Sequence, residues 1–184
     1  MDSKRTLLNI FHVSESYKLP DAIMDALLSD NAESIIRLVK KSTHDDIRDI
    51  FQQEQGDRKT LKQDFTPDCI CTMVAKMMKP GNVLDMCSGT GALSKAVAKE
   101  YGVKICEQEF SERTIPFALL DACIDGLEGS ISRADCLREN IMETYHLEKN
   151  NDISIPKQVE PEEVGCFDNI IMNPPYSMKF PETV

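Results

Sequence analysis

The chain contains no tryptophan, and its aromatic content is only 6%. A broad platform for stacking unpaired bases is therefore not expected. Long apolar runs are also missing. Residues 170–172 and the stretch 69–78, broken by Thr72 and Lys76, are examples of the short runs present, whereas a membrane-spanning helix takes about 20 apolar residues. Residues 1–13 hold neither a long apolar segment nor a small-residue cleavage site, so export is not expected. The seven cysteines are an odd number and follow no framework spacing, which reads as reduced cytosolic thiols. The pairs Cys69/Cys71 and Cys87/Cys106 lack zinc-finger spacing, and His12, His44 and His146 stand far from the motifs below. No metal site is expected. Basic charge is scarce as well, with 21 Lys and Arg against 31 Asp and Glu and a net charge of −10. A protein whose whole surface grips phosphates is excluded, though a local basic groove or a basic partner segment is not.

What is present is a globular composition, 41% hydrophobic and 28% charged over 184 residues. That length fits one domain with a small appendage and buries a core without staples. Residues 1–62 read as a helical domain. Pro20 suits a first helical turn. Ala32, Ile35, Ile36 and Val39 fall on one helical face. Thr43 with Asp46 resembles a capping box, and Ile47, Ile50 and Phe51 continue a stripe. A polar linker follows over 52–63. A second domain is expected over 63–184.

From Thr66 the periodicity changes. Thr66 and Pro67 start a helix in which Ile70, Met73, Val74, Met77 and Met78 line one face, with Met73, Met77 and Met78 filling the core. Strands are then expected at 82–86, 103–106, 130–134 and 167–172. Helices are expected at 92–100, 111–126 and 137–147, with an acidic loop over 148–165. Strands alternating with helices imply right-handed crossovers and a parallel sheet, so the fold class is α/β.

In such a sheet, ligands bind beyond the carboxyl ends of the strands, and four features fall there. Asp85 precedes the turn Cys87-Ser88-Gly89-Thr90-Gly91, whose glycines let backbone approach a ligand and whose following helix start offers free N–H groups. Glu107 and Glu109 stand just after the second strand, where an acid accepts ribose hydroxyls. Asp135-Cys136 ends the third. That carboxylate is either an acceptor for an adenine amino group or a helix N-cap. Asn173-Pro174-Pro175-Tyr176 ends the fourth. Asn173 supplies a neutral acceptor, the prolines a rigid backbone with the Pro174 carbonyl available, and Tyr176 a flat face. Cys87, Cys106 and Cys136 also read as strand-end residues that converge.

The ordered set Asp64-Phe65-Thr66-Pro67, Asp85-Met86-Cys87-Ser88-Gly89-Thr90-Gly91, Glu107-Gln108-Glu109, Asp135-Cys136 and Asn173-Pro174-Pro175-Tyr176 resembles the adenine-N6 DNA methyltransferases. It is most similar to the modification subunits of type I restriction-modification systems, which also carry a helical N-terminal domain. The resemblance covers roughly residues 64–178. It implies a Rossmann-like sheet and S-adenosylmethionine as cofactor. Phe65 and Thr66 would line the methionine end, and Asp85, Ser88, Gly89 and Gly91 would hold its amino and carboxylate groups. Glu109 matches the ribose acid better than Glu107. Phe110 would lie on the cofactor adenine, with Asp135 and Cys136 at its edge. Asn173, Pro174, Pro175 and Tyr176 would form the catalytic clamp on a flipped target adenine.

The same resemblance implies duplex DNA as substrate, specificity or other restriction-modification subunits as partners, and a cytoplasmic location without membrane or metal. The family fold continues with three more strands and a recognition region, so a truncated chain or a fragment completed by a partner is expected. Two other readings remain open: a glutamine-N5 protein methyltransferase, whose family shares Asn-Pro-Pro-Tyr, and a non-catalytic cofactor-binding fragment.

Overall fold

In the computed structural model, residues 3–43, 47–48, 51, 66–161 and 165–174 are described. Three helices come first: α1 (Ser3–Ile10), α2 (Leu19–Leu27, after a 3-10 turn Ser16–Lys18) and α3 (Ala32–Ser42). Then follow α4 (Asp68–Met77), β1 (Val83–Met86), α5 (Ala92–Tyr101), β2 (Ile105–Glu109), α6 (Ile115–Ile124), β3 (Gly129–Asp135), β4 (Asn140–Asn150), β5 (Ile153–Val159) and β6 (Asn169–Met172). Pro20 stands in the first turn of α2 and Pro116 in that of α6, where the missing N–H costs nothing. The capping box over 43–46 reaches outside the described residues.

The strands form one sheet in the order β5-β4-β3-β2-β1-β6. β1, β2, β3 and β6 are mutually parallel, and β4 and β5 are added antiparallel. The four parallel strands agree with the expected α/β sheet, and the two antiparallel strands correct the reading of 137–147 as a helix and 148–165 as a loop. Asp135 to Asn140 closes the first hairpin, with Glu139 at φ 52°, and Asn151 at φ 58° closes the second. The buried residues Tyr145 and Leu147 are two apart, not three or four. That is the strand period, and it puts both against the helical layer. Pro156 fits because β5 is the edge strand of that side.

The helical layer forms the main core. Leu7, Leu19, Ile23, Ile36 and Val39 of the first three helices pack with Phe117, Leu119 and Leu120 of α6 and with Ile131 and Tyr145 of the sheet. Phe51 packs against Phe117 in a tilted pair, 4.9 Å between centroids. Ala32, Ile36 and Val39 are buried with Ile35 against them, as the periodicity of α3 requires. In α4 the buried stripe is Cys71, Val74, Ala75 and Met78. Ile70, Met73 and Met77 instead point outward and are exposed. The expected Met-lined face was one position out of register, because small Cys71 and Ala75 let α4 lie close to α5.

Along the chain β1, β2 and β3 step outward in one direction, whereas β6 returns to the other side of β1. The strand order therefore reverses between β1 and β6. Their carboxyl ends, Met86 and Met172, lie in register. A ligand crevice is expected beyond such a reversal.

Candidate functional site

Two loops leave the sheet at this reversal. The first is residues 87–91, which runs from β1 into α5. Its backbone needs the left-handed region at Cys87 (φ 61°), Gly89 (φ 60°) and Gly91 (φ 80°). A Cβ on Gly89 would meet nothing within 4 Å, whereas one on Gly91 would lie 2.6 Å from Glu107 Oε1. Gly91 is thus a close-approach glycine, and Gly89 borders open space.

Beneath the turn lies a polar cluster that is unusual for a protein interior. Asp85 is buried. Its Oδ2 accepts the Ser94 N–H at 3.2 Å, and its Oδ1 has no partner. Ser88 Oγ and Thr90 Oγ1 are likewise buried and unpartnered. Buried polar atoms are normally hydrogen-bonded, and a group of orphans facing one turn marks a place for a polar ligand. Burial, more than the charge of nearby Glu109, pushes the Asp85 carboxyl up to about 7. A cation brought beside it would reverse that shift.

Glu109 ends β2. Its Oε2 accepts the Gly89 N–H at 2.9 Å and its Oε1 the Ser111 N–H at 2.8 Å. Burial raises its pKa while these backbone donors oppose the rise. The carboxylate therefore pins the glycine turn to the loop that enters α6. Phe110 follows it and is 63% exposed, a large apolar side chain left uncovered at the crevice. Glu107 stands on the same strand but is fully buried under the turn, bonded to Ser94.

Asp135 Oδ1 accepts the N–H groups of Leu137 and Arg138 at 3.1 and 3.2 Å, and its Oδ2 meets the Arg138 guanidinium at 2.8 Å. Of its two sequence readings, the cap describes this carboxylate, although what it caps is a hairpin turn and not a helix. Cys136 donates to Gln108 Oε1 at 3.2 Å and lies against Cys87. The neighbouring Cys87 draws the Cys136 thiol down while burial opposes the fall, and Cys87 is correspondingly raised. Cys106 is not with them. It sits near the start of β2 and faces Ser130 Oγ at 3.5 Å, which corrects its expected place at a strand end.

The second loop leaves β6 at Asn173. The Asn173 Nδ2 group donates to Thr66 Oγ1 at 3.0 Å. Thr66, two residues before α4, and the residue after β6 are thereby joined, next to the turn that leaves β1. Pro174 is exposed beyond it. Phe65, Pro175 and Tyr176 lie outside the described residues.

Sequence reasoning missed Thr90, Ser94 and the burial of Glu107. Thr90 was visible inside the glycine turn. Ser94 is the third residue of α5, and only the packing of that helix on β1 and β2 turns it toward two carboxyls. Among the described residues, no group of three or more His, Cys, Asp or Glu could hold a metal, and no helix is long and apolar enough to cross a membrane.

Compared with known proteins, residues 47–184 match the family model described as N-6 DNA Methylase. No curated protein and no solved structure matches the chain.

Proposed function

Because the chain belongs to the N-6 DNA methylase family, we propose that it transfers a methyl group from S-adenosylmethionine to the N6 amino group of adenine in duplex DNA. The observation that carries this reading is the Asn173–Thr66 hydrogen bond. It joins the loop after β6 to the segment before α4, where the strand order reverses between β1 and β6.

The residues present fit the cofactor. Asp85 Oδ1, Ser88 Oγ and Thr90 Oγ1 are buried and unpartnered, which suits an ammonium and a carboxylate. Asp85 would hold the amino group, with Ser88, Gly89, Gly91 and Thr66 around the methionine end. Glu109 would take the ribose hydroxyls, Phe110 the adenine face and Cys136 its edge, whereas the Asp135 carboxylate is held in its own turn. When bound, the cofactor supplies an electrophilic methyl group on a sulfonium.

The chain's own contribution is alignment and electrostatics. An adenine N6 lone pair is delocalised into the ring and attacks poorly. Asn173 Oδ1 and the Pro174 carbonyl would accept its two N–H groups and favour a tetrahedral nitrogen with its lone pair aimed at the methyl. No strong base is required, because the methylated ammonium loses its proton readily to solvent. Pro175 would keep the loop rigid. Extruding a base from the duplex costs a few kcal/mol, and stacking on Tyr176 would offset part of it.

Within the family, we read the chain as most similar to type I modification subunits, acting in the cytoplasm with specificity or other restriction-modification subunits. The test is methyl transfer from radiolabelled cofactor to duplex DNA, with nucleoside analysis for N6-methyladenine. Label in adenine is the expected result. Label in a glutamine-containing protein substrate, with none in DNA, would overturn the reading, as would cofactor binding without transfer to either.

A further inference from the structure

Two buried carboxyls, Asp85 and Glu107, lie beneath the glycine turn, close to an ion-paired lysine. Lys95 of α5 reaches Asp121 at 2.7 Å and Asp125 at 2.8 Å, both on the α6 side. Asp85 of β1 and Glu107 of β2 are register partners on adjacent parallel strands and face the same side. Lys95 is committed to the two aspartates, so among the described residues neither Asp85 nor Glu107 forms an ion pair, although the Lys95 charge acts on Glu107 from farther off. Glu109, the remaining acid on this strand, is taken up by the Gly89 and Ser111 amides. Two like charges so placed, out of water, cannot both be ionised cheaply.

Ser94 joins the pair. Its N–H donates to Asp85 at 3.2 Å, while its Oγ lies 2.5 Å from Glu107 Oε1 and 3.0 Å from the Gly91 carbonyl. A hydroxyl has one hydrogen. If Glu107 were ionised, that hydrogen would be drawn to it and away from Gly91. If Glu107 is a neutral acid, its O–H donates to Ser94 Oγ, and Ser94 donates onward to the Gly91 carbonyl. Glu107 Oε1, Ser94 Oγ and the Gly91 carbonyl are then linked by a single chain of donors, while Glu107 Oε2 is buried without a partner. The amide of Ser94 lies in the first turn of α5, where an anionic Asp85 is favoured. The same turn is forced against Glu107 by the missing Cβ of Gly91.

We propose that Glu107 is a positioning residue that works as a neutral carboxylic acid, holding the glycine turn through Ser94 and leaving Asp85 as the sole carboxylate of the pair. Its functional meaning rests on reading this turn as the cofactor site. The protonation state itself does not, and it is tested on the unliganded chain.

Burial, then Asp85, pushes Glu107 up to about 8, and burial pushes Asp85 up to about 7. Both folded values lie above the unfolded ones. Their contribution to stability is therefore complete below about pH 4 and is lost as pH rises through 7 and 8. Urea unfolding of the wild type should accordingly show a midpoint that falls from pH 5 to pH 9. Glu107→Gln, whose amide donates to Ser94 as the acid does, should flatten that fall and exceed the wild type in midpoint at pH 9. A variant with an unchanged slope, or one less stable than wild type at pH 9, would overturn the proposal. If Glu107→Gln does not fold, infrared spectra of wild-type protein labelled with 13C-glutamate decide. A glutamic acid carbonyl band at pH 7 that vanishes by pH 10 is expected, and its absence at pH 7 refutes neutrality.

The positioning role is read separately, by calorimetry with S-adenosylhomocysteine at pH 7. Glu107→Ala should weaken binding about tenfold, the size of one lost buried hydrogen bond, and Glu107→Gln should restore most of it. Equal losses in both variants would refute positioning. A wild type that binds no S-adenosylhomocysteine would instead overturn the cofactor reading and leave the protonation result standing.

Discussion

Thr66 and Asn173, 107 residues apart in sequence, meet through one hydrogen bond of 3.0 Å in which the asparagine amide donates and the threonine hydroxyl accepts. With its NH2 held there, Asn173 keeps a defined amide orientation. Thr66→Val removes the acceptor with little change in shape. The turnover rate should fall about tenfold, roughly 1.4 kcal/mol of transition-state stabilisation, while the KM for S-adenosylmethionine changes less. Thr66→Ser should recover the rate. A valine variant that matches wild type in turnover would show that the contact does not orient the amide.

Asp85 lies buried with one orphaned oxygen. Asp85→Asn keeps the shape and removes the charge that an ammonium ligand needs. Affinity for S-adenosylhomocysteine should fall about tenfold to a hundredfold, as expected for a hydrogen bond to a charged group. Folding stability at pH 8 should not fall, because a desolvated carboxyl is removed as well. Titration calorimetry and urea unfolding on the same preparation separate the two effects.

Gly89 and Gly91 both have positive φ, yet only Gly91 is crowded. Gly89→Ala should cost about 1–2 kcal/mol, the penalty of a side chain in the left-handed region. Gly91→Ala must in addition displace the Glu107 carboxyl, so it should be clearly the worse of the two. Equal midpoints in urea would mean that the turn relaxes away from Glu107.

Cys136 is half-buried, and its thiol is drawn below the ordinary range by Cys87. The thiolate is the reactive form. Iodoacetamide at pH 7 should therefore label Cys136 well ahead of the buried Cys71 and Cys123. Cys87→Ala removes the donor, raises the Cys136 pKa and should slow its labelling. Peptide mass mapping over a time course reads both, and labelling of Cys136 that is indifferent to the Cys87 substitution would contradict the coupling.

The parallel strands were legible because each couples a short apolar run to a turn that only certain residues permit. Val83, Leu84 and Met86 before Gly89 and Gly91, and Ile170 to Met172 before two prolines, are local patterns with local causes. Residues 137–147 were not legible as a strand. Asn140 and Glu143 suit a helix as well as a strand edge, and the alternation of Tyr145 and Leu147 acquires meaning only beside β3 and β5. The methionines of α4 misled for a related reason. Large apolar side chains propose a buried face, but the close approach to α5 selected the small residues Cys71 and Ala75.

By itself the order of residues determined which groups stand at strand ends: Asp85, the glycine turn, Glu109 and Asn173 all follow from where apolar runs stop and turn-formers begin. Tertiary structure alone decided which of them touch. It brought Asn173 to Thr66, directed Asp135 into its own turn, and buried Glu107 under Gly91 while Glu109 on the same strand reached the Gly89 amide. The reason is range: turn chemistry acts over a few neighbouring residues, whereas burial and hydrogen-bond pairing depend on which strand the sheet lays alongside which.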